Sequence, residues 1–277
     1  MFMLYIYGTV FNNASIVESS LKSLDKIKCR KKFLIVDNFS TDNTYEILIR
    51  LKNIYDIEIR RVKCSRGMGR QLAMEMAYNE SDDMDIFMQV DLDTIYNDKF
   101  ISLFNSFLIN IDDNSVAFNF ICRKRVNFSV PWRDLNYGED FERMARFLKN
   151  GYIVYKVPEY NKIANNQHAI KRERRYASGL KYLKRILHNN IDLIRGYGVS
   201  NYKLFKKFFK SAGFKKRSYI FVFLIYLFVK ISGLKIYNYG DFLNNEYVNS
   251  NSLNICSYFN FKHCSCGKTL ADGKYRT

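Results

Sequence analysis

In the segment Asp85-Ile-Phe-Met-Gln-Val-Asp-Leu-Asp93, a short apolar run ends at two closely spaced carboxylates. The run from Ile86 to Val90 has a β-branched residue at each end, which predicts a buried strand. Side chains two positions apart on an extended chain point the same way, so Asp91 and Asp93 are expected to leave the strand end on one side. Two such oxygen donors suit Mg²⁺ or Mn²⁺, and a solvated acidic turn is the alternative interpretation.

Apolar runs alternate with helical patterns along the first half of the chain. Such alternation, with short links, predicts an α/β fold in which a mostly parallel sheet is flanked by helices. Right-handed crossovers then place the polar strand ends Thr9, Asp37 and Asp91 along one edge, where ligands bind in open α/β sheets. No Gly-x-Gly-x-x-Gly follows the first strand, which disfavours a dinucleotide site. The predicted strands of this half are residues 2–7, 33–36, 57–62 and 86–90.

Polar residues near the predicted helix starts indicate how the helices are capped. The segment from Ser15 to Glu18 has capping-box spacing, and Ser40 or Thr41 is expected to cap the second helix. In the second half we expect strands at residues 116–122 and 152–157, the latter being the last, and between them a helix that begins at Glu139 and ends before Gly151.

Charge divides the chain into two parts. The 277 residues are 48% hydrophobic, which allows a sizeable core and excludes global disorder. Residues 1–165 hold 23 Lys and Arg against 22 Asp and Glu, whereas residues 166–277 hold 21 against 5. We therefore predict a nearly neutral globular domain at 1–165 and a basic helical region at 166–277, whose partner is an anionic surface of lipid or nucleic acid.

Four segments, taken together and in this order, resemble a family 2 glycosyltransferase of the GT-A fold. They fall within residues 2–160, so the resemblance makes the first domain the catalytic one. Each segment alone is a weak signal, and the ordered set is more specific. The segments are Tyr7-Gly-Thr-Val-Phe-Asn12, Val36-Asp-Asn-Phe-Ser-Thr-Asp-Asn-Thr44, Asp91-Leu-Asp93 and Gly138-Glu-Asp140.

The resemblance implies a nucleotide-diphosphate sugar as the donor. Thr9, Asp37 and Asn38 would contact the base and ribose. Two acidic residues usually stand where Asp37 and Asn38 stand, so the identity of the nucleobase stays open. Arg70 matches a basic position near the donor and would pair with its phosphates, for which a guanidinium is well shaped. A solvated arginine in the first turn of a helix is the alternative.

The resemblance also implies a metal ion and a base. Asp93 would hold Mn²⁺ or Mg²⁺, with Asp91 nearer the ribose or a metal-bound water, to stabilise charge on the leaving phosphate. Asp140 would take the proton of the acceptor hydroxyl, while Glu139 orients the acceptor or the helix. We expect the helix N-terminus to keep Asp140 ionised. A single base suggests one displacement with inversion, and the alternative is that both carboxylates only complement the helix dipole.

Three further residues are weaker candidates for the site. Trp132 and Arg133 are expected to line the acceptor cleft, unless they are a packed tryptophan beside a surface arginine. His168 is a candidate for an additional metal ligand, because a late histidine joins the metal in some GT-A enzymes, or else is a lone surface histidine. The late cysteines Cys256, Cys264 and Cys266, with His263, fit no usual zinc spacing, so we expect free thiols.

The basic region carries apolar stripes that indicate an interface with a membrane. Leu204, Phe205, Phe208 and Phe209 share one helical face with lysines between them, as in a helix lying on a bilayer. A second stripe occupies 180–194. The uncharged run at 219–229 is too short to span a bilayer, so it either dips into one leaflet or packs on the catalytic domain. We therefore expect a cytoplasmic enzyme, peripheral on the anionic inner face of the membrane, unless the stripes pack on the catalytic domain.

Two other classes of protein compete with a glycosyltransferase. A basic nucleic-acid-binding protein would use the cations and aromatic residues of the tail, but it does not explain the acidic strand ends, so no nucleic acid is expected as partner. Sugar nucleotidyltransferases, which have a related fold, share a glycine-rich loop after the first strand. In this chain Gly8 is the only glycine at that place. We favour a glycosyltransferase with a glycan or a lipid-linked acceptor.

Overall fold

The structure is a computed structural model that describes residues 2–109, 111–158, 160–166, 179–211, 214–237 and 251–254. His168, Cys256, His263, Cys264 and Cys266 lie outside these residues. The strands are β1 Leu4–Val10, β2 Lys31–Asp37, β3 Ile57–Arg61, β4 Ile86–Gln89, β5 Thr94–Tyr96, β6 Ser115–Val116, β7 Cys122–Arg123, β8 Ile153–Lys156, β9 Ala164–Asn166 and β10 Leu253–Asn254. The helices are α1 Val17–Asp25, α2 Thr44–Leu51, α3 Arg66–Glu75, α4 Asp98–Ile109, α5 Lys124–Ser129, α6 Glu139–Lys149, α7 Gly179–Gly196, α8 Tyr202–Ser211 and α9 Tyr219–Ile231.

The central sheet has the strand order β3-β2-β1-β4-β7. The first four strands are parallel, and β7 pairs with β4 in the antiparallel sense. Alternate residues of β1 enter two different cores, Leu4 and Ile6 on one face and Tyr5 and Tyr7 on the other. Burial on both faces explains why β1 is almost continuously apolar in sequence, whereas the edge strand β3 is partly exposed and carries three charged residues. The predicted α/β fold with a mostly parallel sheet between helices is confirmed.

Several local predictions about helix caps and strand bounds were wrong. The helix α1 begins at Val17 without a side-chain cap, so the capping box does not form. The helix α2 begins at Thr44 after Asn43, and Ser40 instead bonds to Asp37. The predicted strand at 116–122 is interrupted by a 3₁₀ turn at Phe118–Phe120. The predicted strand at 152–157 forms β8, but β9 and β10 follow it.

The helices α7, α8 and α9 form a core of their own. Phe205 and Phe208 of α8 are fully buried there, against Ile225 and Val229 of α9. The predicted membrane-facing stripe of α8 therefore faces other helices of the tail. Within the described ranges, no helix combines the length and the apolar character needed to cross a bilayer.

Two hydrogen bonds join this helical region to the loop at residues 133–138. The Asn136 N–H donates to Asp192 Oδ2 of α7 at 2.9 Å, and the Asp134 N–H donates to the Tyr237 hydroxyl at 2.9 Å. The loop leads directly into α6, so the basic region is connected to the start of the helix that carries Asp140.

Candidate active site

The carboxyl ends of the parallel strands gather most of the predicted site residues. Thr9 and Asp37 lie at the ends of β1 and β2, where Val10 is paired with Asp37. Asp91 follows β4, the neighbour of β1 on its other side. The first turn of α6 brings Glu139 and Asp140 to the same edge, where they meet Asp91 through Arg70.

Arg70 connects the acidic residues that follow β4 with those that begin α6. Its Nη2 donates to Asp91 Oδ1 at 2.8 Å, and its Nη1 donates to Glu139 Oε1 at 3.0 Å and to Asp140 Oδ1. Its side chain is only 1% exposed, so the solvated alternative for Arg70 is wrong. The guanidinium carbon lies 4.8 Å from the centre of the Trp132 ring, which covers it from one side.

Two glycines in α3 allow Arg70 to reach this position. A Cβ on Gly69 would lie 3.1 Å from the Cβ of Thr9, and a Cβ on Gly67 would lie 2.0 Å from the Arg133 carbonyl oxygen. The helix is therefore seated directly against β1 and against the loop that carries Trp132. The Ser65 side chain caps it by accepting from the Met68 N–H at 3.2 Å.

Asp140 has a raised pKa at this edge of the sheet. Loss of water around the group, together with the negative charges of Glu139 and Asp91, outweighs the attraction of Arg70 and raises the pKa of Asp140 to about 6. This pKa lies above the ordinary value but below neutral pH, so the expectation that the helix N-terminus keeps Asp140 ionised stays a prediction. A carboxylate of this pKa is still mostly ionised at neutral pH and is a stronger base than an ordinary aspartate.

Asp91 behaves in the opposite way. Desolvation alone would raise its pKa, but the charges of Arg70 and Arg66 and a hydrogen bond from Gln89 outweigh it and lower the pKa of Asp91. The Gln89 Nε2 donates to Asp91 Oδ1 at 3.1 Å. The backbone N–H of Asp91 donates to the Tyr96 hydroxyl at 3.0 Å, which fixes the turn after β4.

The two aspartates after β4 offer the oxygen ligands that a hard divalent cation prefers. Asp91 is half exposed, Asp93 is 5% exposed, and both supply carboxylate oxygens. In the described part of the chain, no group of three or more His, Cys, Asp or Glu side chains is arranged to hold a metal ion. Binding of a metal by Asp91 and Asp93 would need further ligands, such as substrate phosphates and water, and stays a prediction.

A cleft of about 460 Å³ opens near the ends of β1 and β2. Asn38 lines it, and its Oδ1 accepts from the Cys64 N–H at 2.9 Å. Asp37 is fully buried beneath and is bonded to Ser40 and, at 3.2 Å, to Arg61 Nε. The structure thus gives Asp37 a role in ordering the loop, and its contact with base or ribose stays a prediction. The cleft is lined by Phe11, Asn38, Phe39, Lys63 and Cys64.

Trp132 and Arg133 differ in their surroundings. Trp132 is 4% exposed, and its ring lies 4.8 Å from the guanidinium carbon of Arg70 and 4.4 Å from that of Arg143, so it packs against the arginines of this region. Arg133 pairs with Glu142 at 2.7 Å and lies over the ring of Tyr237. For Trp132 the packed alternative describes the structure, and the acceptor role of Arg133 stays a prediction.

Sequence reasoning missed two arginines that belong to the site's support. Arg66 Nη1 lies 3.2 Å from Glu139 Oε1. Arg143 is fully buried and donates to the Tyr7 hydroxyl at 2.8 Å and to the Val130 and Asn127 carbonyl oxygens at 2.7 Å. A signal for Arg143 was present, because it follows Glu139 by four positions and so shares its helical face.

The fold and this edge define a class: a GT-A type α/β transferase with acidic strand ends. The model of the family described as glycosyl transferase family 2 matches residues 6–209. This is well over half of the chain, so the protein belongs to glycosyl transferase family 2. The predicted family and the prediction of a transferase enzyme are confirmed, against the nucleic-acid-binding and nucleotidyltransferase alternatives. Among curated proteins, no sequence matches this chain.

Solved structures similar to this chain are also glycosyltransferases. S. aureus TarS 1-349 is 13% identical, with a TM-score of 0.47, over 84% of this chain and 91% of that chain. The same protein in complex with UDP-GlcNAc is 13% identical, with a TM-score of 0.46 and the same coverage. The mannosyltransferase PcManGT from Pyrobaculum calidifontis, in complex with GDP-Man and Mn²⁺, is 11% identical, with a TM-score of 0.50, over 82% of this chain and 73% of that chain. The likeness to the mannosyltransferase supports the shared fold.

Proposed function

We propose that the protein transfers a sugar from a nucleotide-diphosphate sugar to an acceptor hydroxyl, in one displacement with inversion at the anomeric carbon. The observation that carries this proposal is the bridge made by Arg70 between Asp91, at the end of β4, and the Glu139–Asp140 pair. The bridge holds one carboxylate of lowered pKa and one of raised pKa at the same edge of the sheet. When their surroundings shift the pKa values of two neighbouring carboxylates in opposite directions, the two groups often have different catalytic roles.

Asp140 is assigned the role of general base. As the acceptor oxygen bonds to the anomeric carbon, its proton passes to the Asp140 carboxylate, and the bond to the diphosphate breaks with its electron pair on the leaving oxygen. Arg70 fixes the position of Asp140, and the charges of Arg70 and Arg66 favour the developing anion. Glu139, which is buried and bonded to both arginines, positions them.

The metal assigned to this site is Mn²⁺ or Mg²⁺, held by Asp93 and Asp91. When bound, such an ion stabilises negative charge on the leaving diphosphate. Its presence in the complex of the mannosyltransferase with GDP-Man is consistent with this assignment.

The donor's base is assigned to the cleft beside Asn38. Phe11 and Phe39 line this cleft and are each about half exposed (53% and 49%), so their rings are available for stacking. Phe39 has a φ of 52°, a left-handed conformation that is unusual for a bulky residue and is concentrated at functional sites. The acceptor is proposed to be a glycan or a lipid-linked hydroxyl.

The first experiment measures donor binding and metal dependence. Purified protein is screened against UDP-, GDP- and dTDP-sugars with Mn²⁺ by thermal shift, and release of nucleoside diphosphate measures turnover. Asp93→Asn halves the carboxylate charge assigned to the metal, so both binding and turnover should fall severely with the fold intact. Full activity of this variant, or of the wild type in EDTA, would overturn the metal assignment.

The second experiment separates binding from chemistry. Asp140→Asn should retain donor binding and lose about 10² to 10⁴ in turnover, as expected for a missing general base. Asp83→Asn is the matched control, because this exposed carboxylate precedes β4 at the opposite end of the strand. Turnover of Asp140→Asn within a few-fold of the control would overturn the assignment of the base.

A further inference from the structure

The helix α9 is apolar on all sides along residues 219–229. Its sequence from 219 to 229 contains no charged residue. Val222, Ile225, Tyr226 and Val229 are buried in the core of the helical region. A helix that is hydrophobic all round belongs in a setting that covers all of its faces. The described residues cover one face of α9 and leave the opposite one exposed.

The exposed face forms a continuous apolar stripe. Ile220, Leu224, Leu227 and Ile231 are 72%, 58%, 41% and 83% exposed, and their spacing of four, three and four residues aligns them along the helix. Phe221 and Phe228 flank the stripe and are 44% and 49% exposed. Monomeric soluble proteins rarely expose contiguous apolar patches of this kind, which mark interaction sites.

Cations surround this stripe at both ends of the helix. Lys215, Lys216 and Arg217 precede α9, and Lys230 and Lys235 lie at and after its end, all of them exposed. No Asp or Glu occurs in the sequence between residues 193 and 237. An apolar centre within a cationic rim complements an anionic bilayer, in which acyl chains lie beneath charged headgroups. Nucleic acid would attract the cations, and its bases stack on aromatic rings such as Phe221 and Phe228, but it offers no apolar phase for the aliphatic side chains of the stripe.

We propose that the exposed face of α9 inserts into the surface of an anionic membrane, with the helix lying parallel to the bilayer. At 13 residues, α9 is about 20 Å long, so it suits the interface rather than a crossing. Of the apolar segments that the sequence offered for a membrane, the stripe of α8 is buried, whereas the run at 219–229 has an open face that favours entry into one leaflet over packing on the catalytic domain. The lysines of α8 add to the positive field of the same region.

Vesicle co-sedimentation of the full chain tests this proposal. The probes are phosphatidylcholine vesicles with and without phosphatidylglycerol, at low and high salt. The test variant is Ile220→Gln, Leu224→Gln, Ile231→Gln, which removes the three most exposed apolar side chains of the stripe. The matched control is Ile54→Gln, Met84→Gln, Ile109→Gln, three apolar residues of the catalytic domain with exposures of 67%, 58% and 84%.

The wild type and the control should pellet with vesicles that contain phosphatidylglycerol and bind less as salt rises. The test variant should bind them at least about tenfold more weakly, since each side chain loses its transfer into the apolar phase, with an unchanged thermal midpoint. Equal binding by test and control variants would overturn the proposal. So would wild type that ignores vesicles and binds RNA, or wild type that forms a dimer which the test variant does not form.

Discussion

The edge of the sheet and the region from α8 to α9 both concentrate charged side chains, but these are buried and paired at the sheet edge and exposed beside α9. At the sheet edge, Arg70 and Glu139 are each 1% exposed and lie 3.0 Å apart. Beside α9, Lys215, Lys216 and Arg217 are all exposed. A buried charge costs several kcal/mol unless it is paired, whereas an exposed one costs almost nothing.

The difference shows what each kind of charge can reveal about function. Burial of Arg70 among three carboxylates has a large desolvation cost, and such arrangements are enriched at catalytic sites because they shift pKa values. The cations beside α9 are exposed to solvent, so they are informative about the partner that they attract. The first region is therefore informative about chemistry and the second about the partner.

The largest effect on folding is expected when the buried cation is removed. Arg70→Met leaves Glu139 and Asp140 without their main partner, and breaking a buried ion pair in this way costs about 3 to 5 kcal/mol. Arg66 still contacts Glu139 at 3.2 Å, so we expect a loss near about 3 kcal/mol at neutral pH by denaturant unfolding.

The control for this prediction is an exposed pair. Arg50 lies 2.7 Å from Glu18, and both side chains are more than half exposed. Arg50→Met should therefore lower the free energy of unfolding by less than about 1 kcal/mol.

The loss of stability in Arg70→Met should shrink as pH falls from 7 towards 5. Without Arg70, the carboxylates have a higher pKa in the folded state than in the unfolded state. The folded variant therefore takes up more protons than the unfolded one as pH falls, and its free energy of unfolding rises relative to that of the wild type. Equal losses for the two variants would remove the contrast between buried and exposed charge.

The parts of the fold that followed from sequence are those set by local patterns. The strands β1, β2 and β4 each contain an apolar run that is buried, and the acidic residues after β4 mark its end. The burial of Arg70 could not be read in the same way, because its partners Asp91 and Glu139 are 21 and 69 residues away. The stripe of α8 was visible, but periodicity does not say what covers a stripe. The absence of charge from 219 to 229 was the available signal that α9 has a second apolar face.

A smaller effect is expected from Glu139→Gln, which changes ionisation at the site. The charge of Glu139 helps to raise the pKa of Asp140 to about 6, so its removal should lower that pKa. A base must be ionised to act, so kcat/KM for the donor should rise with pH through about 6 in the wild type. In the variant this acid limb should move to lower pH.

The control is Glu75→Gln, which removes an exposed carboxylate of α3 that is bonded to Gln71. Its acid limb should coincide with that of the wild type. A limb that moves upward in Glu139→Gln, or that does not move, would show that the charge of Glu139 is not coupled to the base.

The smallest effect on folding is expected in the tail. Replacing Lys215, Lys216 and Arg217 together by Gln removes three charges, yet the free energy of unfolding should change by no more than about 0.5 kcal/mol, because these side chains are exposed. Denaturant unfolding of this triple variant and of Arg70→Met, measured side by side, compares the loss of three exposed charges with the loss of one buried charge. The same triple variant should bind phosphatidylglycerol vesicles more weakly and with a flatter dependence on salt, since each cation near an anionic leaflet contributes about 1 kcal/mol. A loss of stability as large as that of Arg70→Met would mean that these cations hold the fold together, and the contrast between the two regions would fail.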